Sequence, residues 1–419
     1  MDNPQRSTIS SLMGFDTDIA IVGGGLNGAM MALALSGTGL KIAVIDAQKA
    51  GAQDDPTFDG RSYAMALSSV RLMQALGIWD ELADTAQPIL DIKVSDGRAG
   101  EGPSPLFMHF DHREIEEGPM GHMVEDRHLR RVLRASVSSA DGVALRPETS
   151  VIAQEAVASG ITLQLTDGPL RARLAIAADG RDSGTAARAG IKYVRRSYQQ
   201  TALVCAIAHE HPHHGVAHQF FMPPGPLAIL PLRDNRASIV WSETAETAAR
   251  INALSDADYI EILRPRFGGF RGSFELAGAR YTYPLNLSLA QEMTATRVAL
   301  VGDAAHGVHP IAGQGLNAGL RDIAALAEVI SDAKRRGEDF GALDVLVRYQ
   351  QWRRFDNAAL AMATDGFNRL FSNDNPVIRT VRGIGMGVVN AAPLFRRSFI
   401  REAAGLTGTL PRLLRGESL

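Results

Sequence analysis

Short runs of β-branched and apolar residues recur along the chain, each cut off by glycine or aspartate, as in buried strands that end in turns. Asp18–Val22 is such a run, and after a glycine cluster Ala29–Leu35 continues as a helix rich in Ala, Met and Leu. Lys41–Ile45 predicts a second buried strand, ending in Asp46. Arg173–Ala178 and Arg297–Val301 predict two more. Strands so alike belong in one sheet, so the chain between them is inserted. Within residues 184–294, the stretches Ala202–Ala208, Gln219–Met222 and Ala237–Trp241 alternate apolar and polar positions. Alternation of that kind predicts a mostly antiparallel sheet, placed as a lid over a substrate, and Ile89–Val94 adds a strand to it. Residues 320–372 follow helical spacing.

The predicted organisation is a discontinuous α/β nucleotide-binding domain of residues 1–75, 105–183 and 295–345. A substrate domain of residues 76–104 and 184–294 is inserted in it, and residues 346–419 form a C-terminal helical segment. With 419 residues the chain can build several cooperating cores. A net charge of -3 gives no global positive field for nucleic acid. The single cysteine, Cys205, excludes an intramolecular disulfide and a cysteine-based metal cluster, and a free thiol fits a reducing compartment. Residues 1–14 lack the apolar core of a secretory signal and read as a loose leader. No apolar run reaches the roughly 18 residues that span a bilayer. The longest, Ile19–Leu40, is interrupted by Gly23, Gly24, Gly25 and Gly28. The expectation is a cytoplasmic protein, at most peripheral to the inner membrane.

Gly23-Gly24-Gly25-Leu26-Asn27-Gly28 supplies G-x-G-x-x-G between the first strand and its helix. The first glycine allows a tight turn, the second lets a pyrophosphate approach the backbone, and the third brings helix and strand together. The helix N-terminus offers free N–H groups and the positive end of its dipole to the phosphates. Asp46, about 20 residues on, is placed to accept a hydrogen bond from a ribose hydroxyl. This constellation predicts a dinucleotide site but does not by itself separate FAD from NAD.

Two later segments do. Asp179-Gly180-Arg181-Asp182-Ser183 follows one strand, although taken alone an Asp-Gly pair is equally an ordinary turn. Gly302-Asp303-Ala304-Ala305-His306 follows another and leads through Pro310, Gly313, Gly315, Leu316 and Asn317 into a second glycine-led helix. A second helix N-terminus near the first suits a cofactor with two distant anionic regions, a pyrophosphate and a reduced flavin ring. An NAD domain has no need of it, which favours FAD.

These three segments together resemble the aromatic-ring flavoprotein monooxygenases, relatives of para-hydroxybenzoate hydroxylase, and among them most of all the ubiquinone-biosynthesis hydroxylases. Further matching segments are Asp59-Gly60-Arg61, Leu76-Gly77-Ile78-Trp79, Val124–Leu129, Phe220–Pro226, Tyr283-Pro284-Leu285 and the Tyr349, Arg353, Arg354, Asn357 helix, so the likeness runs from about Asp16 to Leu414. The fold it implies is α/β: a discontinuous Rossmann-like FAD-binding domain with an inserted, mostly antiparallel substrate-domain sheet and a C-terminal helical segment.

By that resemblance Gly23, Gly25 and Gly28, with Leu26 and Asn27 between them, would hold the pyrophosphate, and Asp46 the adenosine ribose. Asp303, after Gly302, would bind the ribityl chain. Pro310 and the backbone from Gly313 to Asn317 would line the flavin. Arg61 and Arg127 match arginines lying along the cofactor, and Asp179-Gly180 would lie near the pyrophosphate. The implied chemistry is reduction of bound FAD by a transient NAD(P)H, then reaction with O2 to a flavin hydroperoxide that hydroxylates a polyprenylated phenol. The cofactor carries that chemistry, so no side chain is assigned as catalytic, His306 included. A flavin-dependent reductase or halogenase of the same superfamily, or a flavin-holding scaffold, remain alternatives.

Two other features invite a functional reading. His209, His211, His213, His214 and His218 cluster in sequence, but without cysteine and with Pro212 between them they predict a solvated loop and no metal site. From Val377 to Leu419 seven arginines face two glutamates, a net of +5. That tail predicts helices packed on the FAD lobe, or else a contact with a membrane surface or a biosynthetic complex. Oligomeric state has no signal in the sequence.

Overall fold

The computed structural model describes residues 14–49, 51, 56–100, 102–223, 225–307, 314–371, 390 and 392–419. Its first sheet has a parallel core in the order Val298–Leu300, Gly168–Ala177, Thr17–Val22, Ile42–Ile45, Val143–Arg146. The four runs predicted from sequence are all in it, and their continuous apolar character has its reason here. Helices cover the sheet, so Ile19, Ile21, Ile42, Val44, Leu174 and Ile176 are buried with no alternation. Leu26–Ser36 and Gln314–Arg335, the two glycine-led helices, pack on each other within this core. Val151–Val157 and Gly160–Leu165 extend the sheet as an antiparallel hairpin.

The second sheet runs in the order Tyr281–Ala290, Tyr193–His209, Arg236–Thr244, Gly225–Leu232, Val216–Met222, Asp91–Arg98, Gly102–Asp111. Its pairs are antiparallel except Val216–Met222 with Asp91–Arg98, which is parallel. One face buries Leu203, Cys205, Ile239 and Trp241 beneath the helices Ala245–Asn252 and Asp256–Phe267. Both helices start on a hydroxyl cap: Thr244 Oγ1 accepts from the Thr247 N–H and Ser255 Oγ from the Asp258 N–H. The opposite face, with Ala206, Ala217, Phe221 and Leu232, meets the first lobe at Phe58, Ala64 and Met123. A third, small sheet of Ser62–Ala66, Gly121–Glu125 and Gln87–Ile89 lies at this seam.

Three sequence expectations are adjusted by these contacts. Ile78, Trp79 and Leu82 belong to the first core, and the hairpin Asp91–Asp111 belongs to the lid, so the change of lobe falls near residues 90 and 111 rather than 76 and 104. His209 and His213 are buried instead of solvated: His209 Nδ1 meets the His211 carbonyl, and His213 Nε2 the Leu232 carbonyl at 2.6 Å. Burial, helped by Arg271 and Lys93, also pushes His218 down to about 3. In the tail, Arg396 pairs with Glu114, Arg401 with Glu117, Arg412 with Glu328 and Asp332, and Arg415 with Glu417. Much of the positive charge counted in sequence is therefore neutralised on folding, and Leu413 and Leu414 sit in the first core. Arg379 and Arg382 lie outside the described residues.

Candidate functional site

Gly23 turns the chain at φ +101°, a left-handed value that only glycine adopts without strain. A Cβ there would come 2.4 Å from the Ala178 carbonyl oxygen, because the neighbouring strand ends beside it. At Gly28 a Cβ would lie 1.8 Å from the Gly23 carbonyl oxygen, so helix and turn can touch only through glycine. Gly25 differs: it is exposed, and no atom lies within 4 Å of a Cβ built on it. The helix Leu26–Ser36 starts there with no side-chain cap, which leaves its end open to an anion. Gly24 has a role the motif does not assign. A Cβ on it would meet Asp46 Oδ2 at 2.5 Å, so this glycine lets the Asp46 carboxylate lie against the turn while Oδ1 accepts from the Gln48 N–H.

The third segment is joined to the first by Asn27. Cβ atoms on Gly302 and Gly319 would come 2.1 Å from Asn27 Nδ2 and 2.7 Å from Oδ1, so the amide is clasped between two glycines. Its Oδ1 is buried with no hydrogen-bond partner among the described residues. Gly302, at φ +61°, opens the single turn Gly302–Ala304 that presents Asp303 with 43% of its side chain exposed. Arg181 Nε stands 3.4 Å from Asp303 Oδ2, so the second segment meets the third. Asp179 lies with its backbone against Gly23, but its carboxylate is committed elsewhere: it accepts from the Ser183 hydroxyl and from the N–H and hydroxyl of Thr185. Gly180 turns at φ +83° with open space around it.

Asp322 fixes the Asp303 turn from below, a role spacing alone does not signal. It is fully buried and accepts from the Gly302 N–H at 3.1 Å, from His306 Nε2 at 2.6 Å and from Arg353 Nε at 2.9 Å. Burial works to raise its pKa, but His306 and Arg353 outweigh burial and hold the carboxyl below the usual carboxylate range. His306 is thus a strut. Tyr193 and Tyr349 add hydroxyl bonds to the carbonyls of Ala304 and Leu300.

Asn317 is buried and ties the second glycine-led helix to the seam: Oδ1 accepts from the Ala66 N–H and the Ser69 hydroxyl, and Nδ2 donates to the Ala64 carbonyl. Leu316 packs on the first core, and Gly315 faces open space. Pro310 and Gly313 lie outside the described residues. Arg61 binds Asp59 at 2.7 Å and Asp126 at 3.3 Å and lies over the Tyr281 ring of the lid. Arg127 binds Glu125 and the Pro56 carbonyl, and shares Glu125 and the Phe58 ring with Arg236. Both arginines stand at the seam between the lobes.

These residues fit FAD: an open glycine turn at Gly25, a carboxylate on Asp46 beside it, an orphaned amide oxygen on Asn27 and a half-exposed carboxylate on Asp303. The class they define is a flavin-binding α/β protein with an antiparallel lid. A family model described as an FAD binding domain matches residues 16–355, and the chain belongs to that family and binds FAD. It is 42% identical to the ubiquinone hydroxylase UbiL of Rhodospirillum rubrum over 96% of this chain and 93% of the relative. It is 33% identical to the 3-demethoxyubiquinol 3-hydroxylase of Escherichia coli over 93% and 99% respectively. Among solved structures, p-nitrophenol 4-monooxygenase from Pseudomonas putida superposes with a TM-score of 0.78 at 19% identity, covering 94% of this chain and 99% of that one.

Asp303→Ala tests the ribityl placement. Losing a charged acceptor should weaken FAD binding by about 1.5–3 kcal/mol, roughly ten- to a hundredfold in Kd. The apoprotein should melt close to the parent, since the exposed pair with Arg181 contributes little. Flavin fluorescence titration reads the first and thermal melting the second; an unchanged Kd would remove Asp303 from the site.

Proposed function

We propose that this protein is an FAD-dependent monooxygenase that hydroxylates the aromatic ring of a polyprenylated phenol in ubiquinone biosynthesis, using NAD(P)H and O2. The observation that carries this reading is the placement of a charge-poor face of the lid sheet over the seam that holds Arg61 and Asn317. The apolar side chains of that face can orient a phenol and exclude water where they cover the seam. Bound FAD supplies the redox and oxygen-activating chemistry. This chain's side chains hold and position it: Asp303 at the ribityl chain, Asp46 at the ribose, and Asp322 beneath the Gly302 turn. The names of the Rhodospirillum and Escherichia coli relatives, matched over nearly their full lengths, support the ubiquinone assignment.

No described helix is long and apolar enough to cross a membrane. A lipid-soluble substrate would instead be met at the membrane surface through the helix Pro393–Ala403, which exposes Leu394, Phe395 and Phe399 by 81%, 62% and 41%. The FAD-loaded protein with NADPH should consume oxygen faster when a prenylated phenol is added, and mass spectrometry should find that phenol heavier by one oxygen atom. If uptake and substrate mass are both unchanged, the hydroxylase reading is wrong.

A further inference from the structure

Side chains paired in register across a sheet share one face. Starting at Tyr281, the register links Val204, Val240, Ala228, Gln219, Val94 and Met108 in one row across seven strands. The row lies on the face turned to the cofactor lobe, since Ala206, Phe221, Leu230 and Phe110 share that face and pack there. It carries no charged group, and Gln219 is its one amide.

Burial singles the row out. Two residues to either side along the same strands, Ala202 and Ala206, Ser238 and Ser242, and Ala217 and Phe221 are all buried. Between them Val204, Val240 and Gln219 are partly exposed, as are Tyr281, Ala228 and Met108 in the same row. Val94, at 8%, is the one buried member, so the row is the floor of a shallow trough that is shallowest between Gln219 and Met108. Six strand spacings of about 4.8 Å give it a length of roughly 29 Å. One end lies at Tyr281, under Arg61 and beside Tyr283. The other end lies at Met108, next to Phe110, whose ring meets Phe399 of the helix Pro393–Ala403 at 6.3 Å. The trough therefore runs from the seam of the two lobes to the exposed apolar side chains of the helix Pro393–Ala403.

We propose that this trough is the track of the substrate's prenyl tail, with the ring end at Tyr281 and the tail leaving past Met108 beneath Phe399. The inference rests on the hydroxylase reading above. An extended apolar chain of methyl-branched isoprene units matches a long narrow floor free of charge, and burying it there is favourable without any directed hydrogen bond. Ala228, the smallest side chain in the row, lies roughly 14 Å from Tyr281 at three strand spacings and sets the clearance.

The test uses FAD-loaded parent, Ala228→Trp and Met108→Trp, each assayed with one phenol carrying either a single isoprene unit or a long polyprenyl chain. The quantity read is kcat/KM for the long-tailed form divided by kcat/KM for the short one, on the same preparation, so loss of folded protein cancels. Both variants should lower that ratio by at least about tenfold. Met108→Trp, at an edge strand, decides the matter if Ala228→Trp fails to fold by thermal melting and flavin content. A ratio within about twofold of the parent in the folded variants overturns the track. If the parent oxidises neither phenol, the hydroxylase reading falls and the track with it; if it oxidises both and the ratio does not move, only the track falls.

Discussion

Gly28→Val should yield a protein that retains no FAD and melts far below the parent. A Cβ at this position would stand 1.8 Å from the Gly23 carbonyl oxygen, and the obstacle is backbone rather than a side chain that could rotate away. Relief requires the helix Leu26–Ser36 to move off the first strand. That helix is packed on Gln314–Arg335, with Met30, Met31 and Leu35 fully buried, so movement would open voids on one side and overlaps on the other. Overpacking of a core commonly costs about 1–3 kcal/mol, and a backbone collision belongs at or above the upper end. Gly25→Ala is the informative contrast. Its φ is -67° and nothing lies within 4 Å of the new methyl group, so the apoprotein should melt near the parent. The methyl group would still occupy the space a phosphate approaches, and FAD affinity should fall. Apoprotein melting and flavin titration, run together, separate the two. A Gly28→Val protein with parental melting temperature would refute the close approach of turn and helix.

The difference between those glycines marks what the sequence could disclose. Gly28 acts on Gly23 within one turn, so a local pattern announces it, while the close neighbour of Gly23 is Ala178 on another strand. Gly24 acts on Asp46 and escapes the pattern. Asn27 stands inside the motif, yet its contacts are Gly302 and Gly319, hundreds of residues on, and no periodicity connects them. The lid was visible as alternation, but its strand order was not, because the parallel pairing of Val216–Met222 with Asp91–Arg98 joins segments far apart in the chain. Likewise the trough exists only once seven strands are in register. Charge in the tail misled in the opposite direction: a sum over residues cannot anticipate that Glu114 and Glu117, from the first lobe's seam, would reach Arg396 and Arg401. Asp179 lies with its backbone against Gly23, whereas its carboxylate serves a local cap that Ser183 and Thr185 complete, a commitment no local pattern announces.

Asp322→Ala should destabilise the apoprotein by about 3–5 kcal/mol, the usual cost of removing one member of a buried ion pair, and should weaken FAD binding besides. The carboxylate has no exposure and, among the described residues, accepts from Arg353, His306 and the Gly302 N–H, so truncation removes an acceptor from each of them. Asp356 remains to Arg353 through Nη1 and caps the damage, which is why folding should survive at low temperature. FAD binding suffers because the Gly302 N–H anchors the turn that presents Asp303. Asp322→Asn retains an acceptor for that N–H while losing the charge, so it should bind FAD more tightly than the alanine variant although less stable than the parent. Acid separates charge from shape. The parent carboxyl titrates below its unfolded value, so its ionised form stabilises the fold above an ordinary carboxylate pKa of about 3.9. That contribution is lost as pH falls through the folded value. The stability gap between parent and Asp322→Asn should therefore hold steady from neutral pH to about pH 5 and close below it. A gap that widens on acidification would show that the charge at Asp322 does not stabilise this turn.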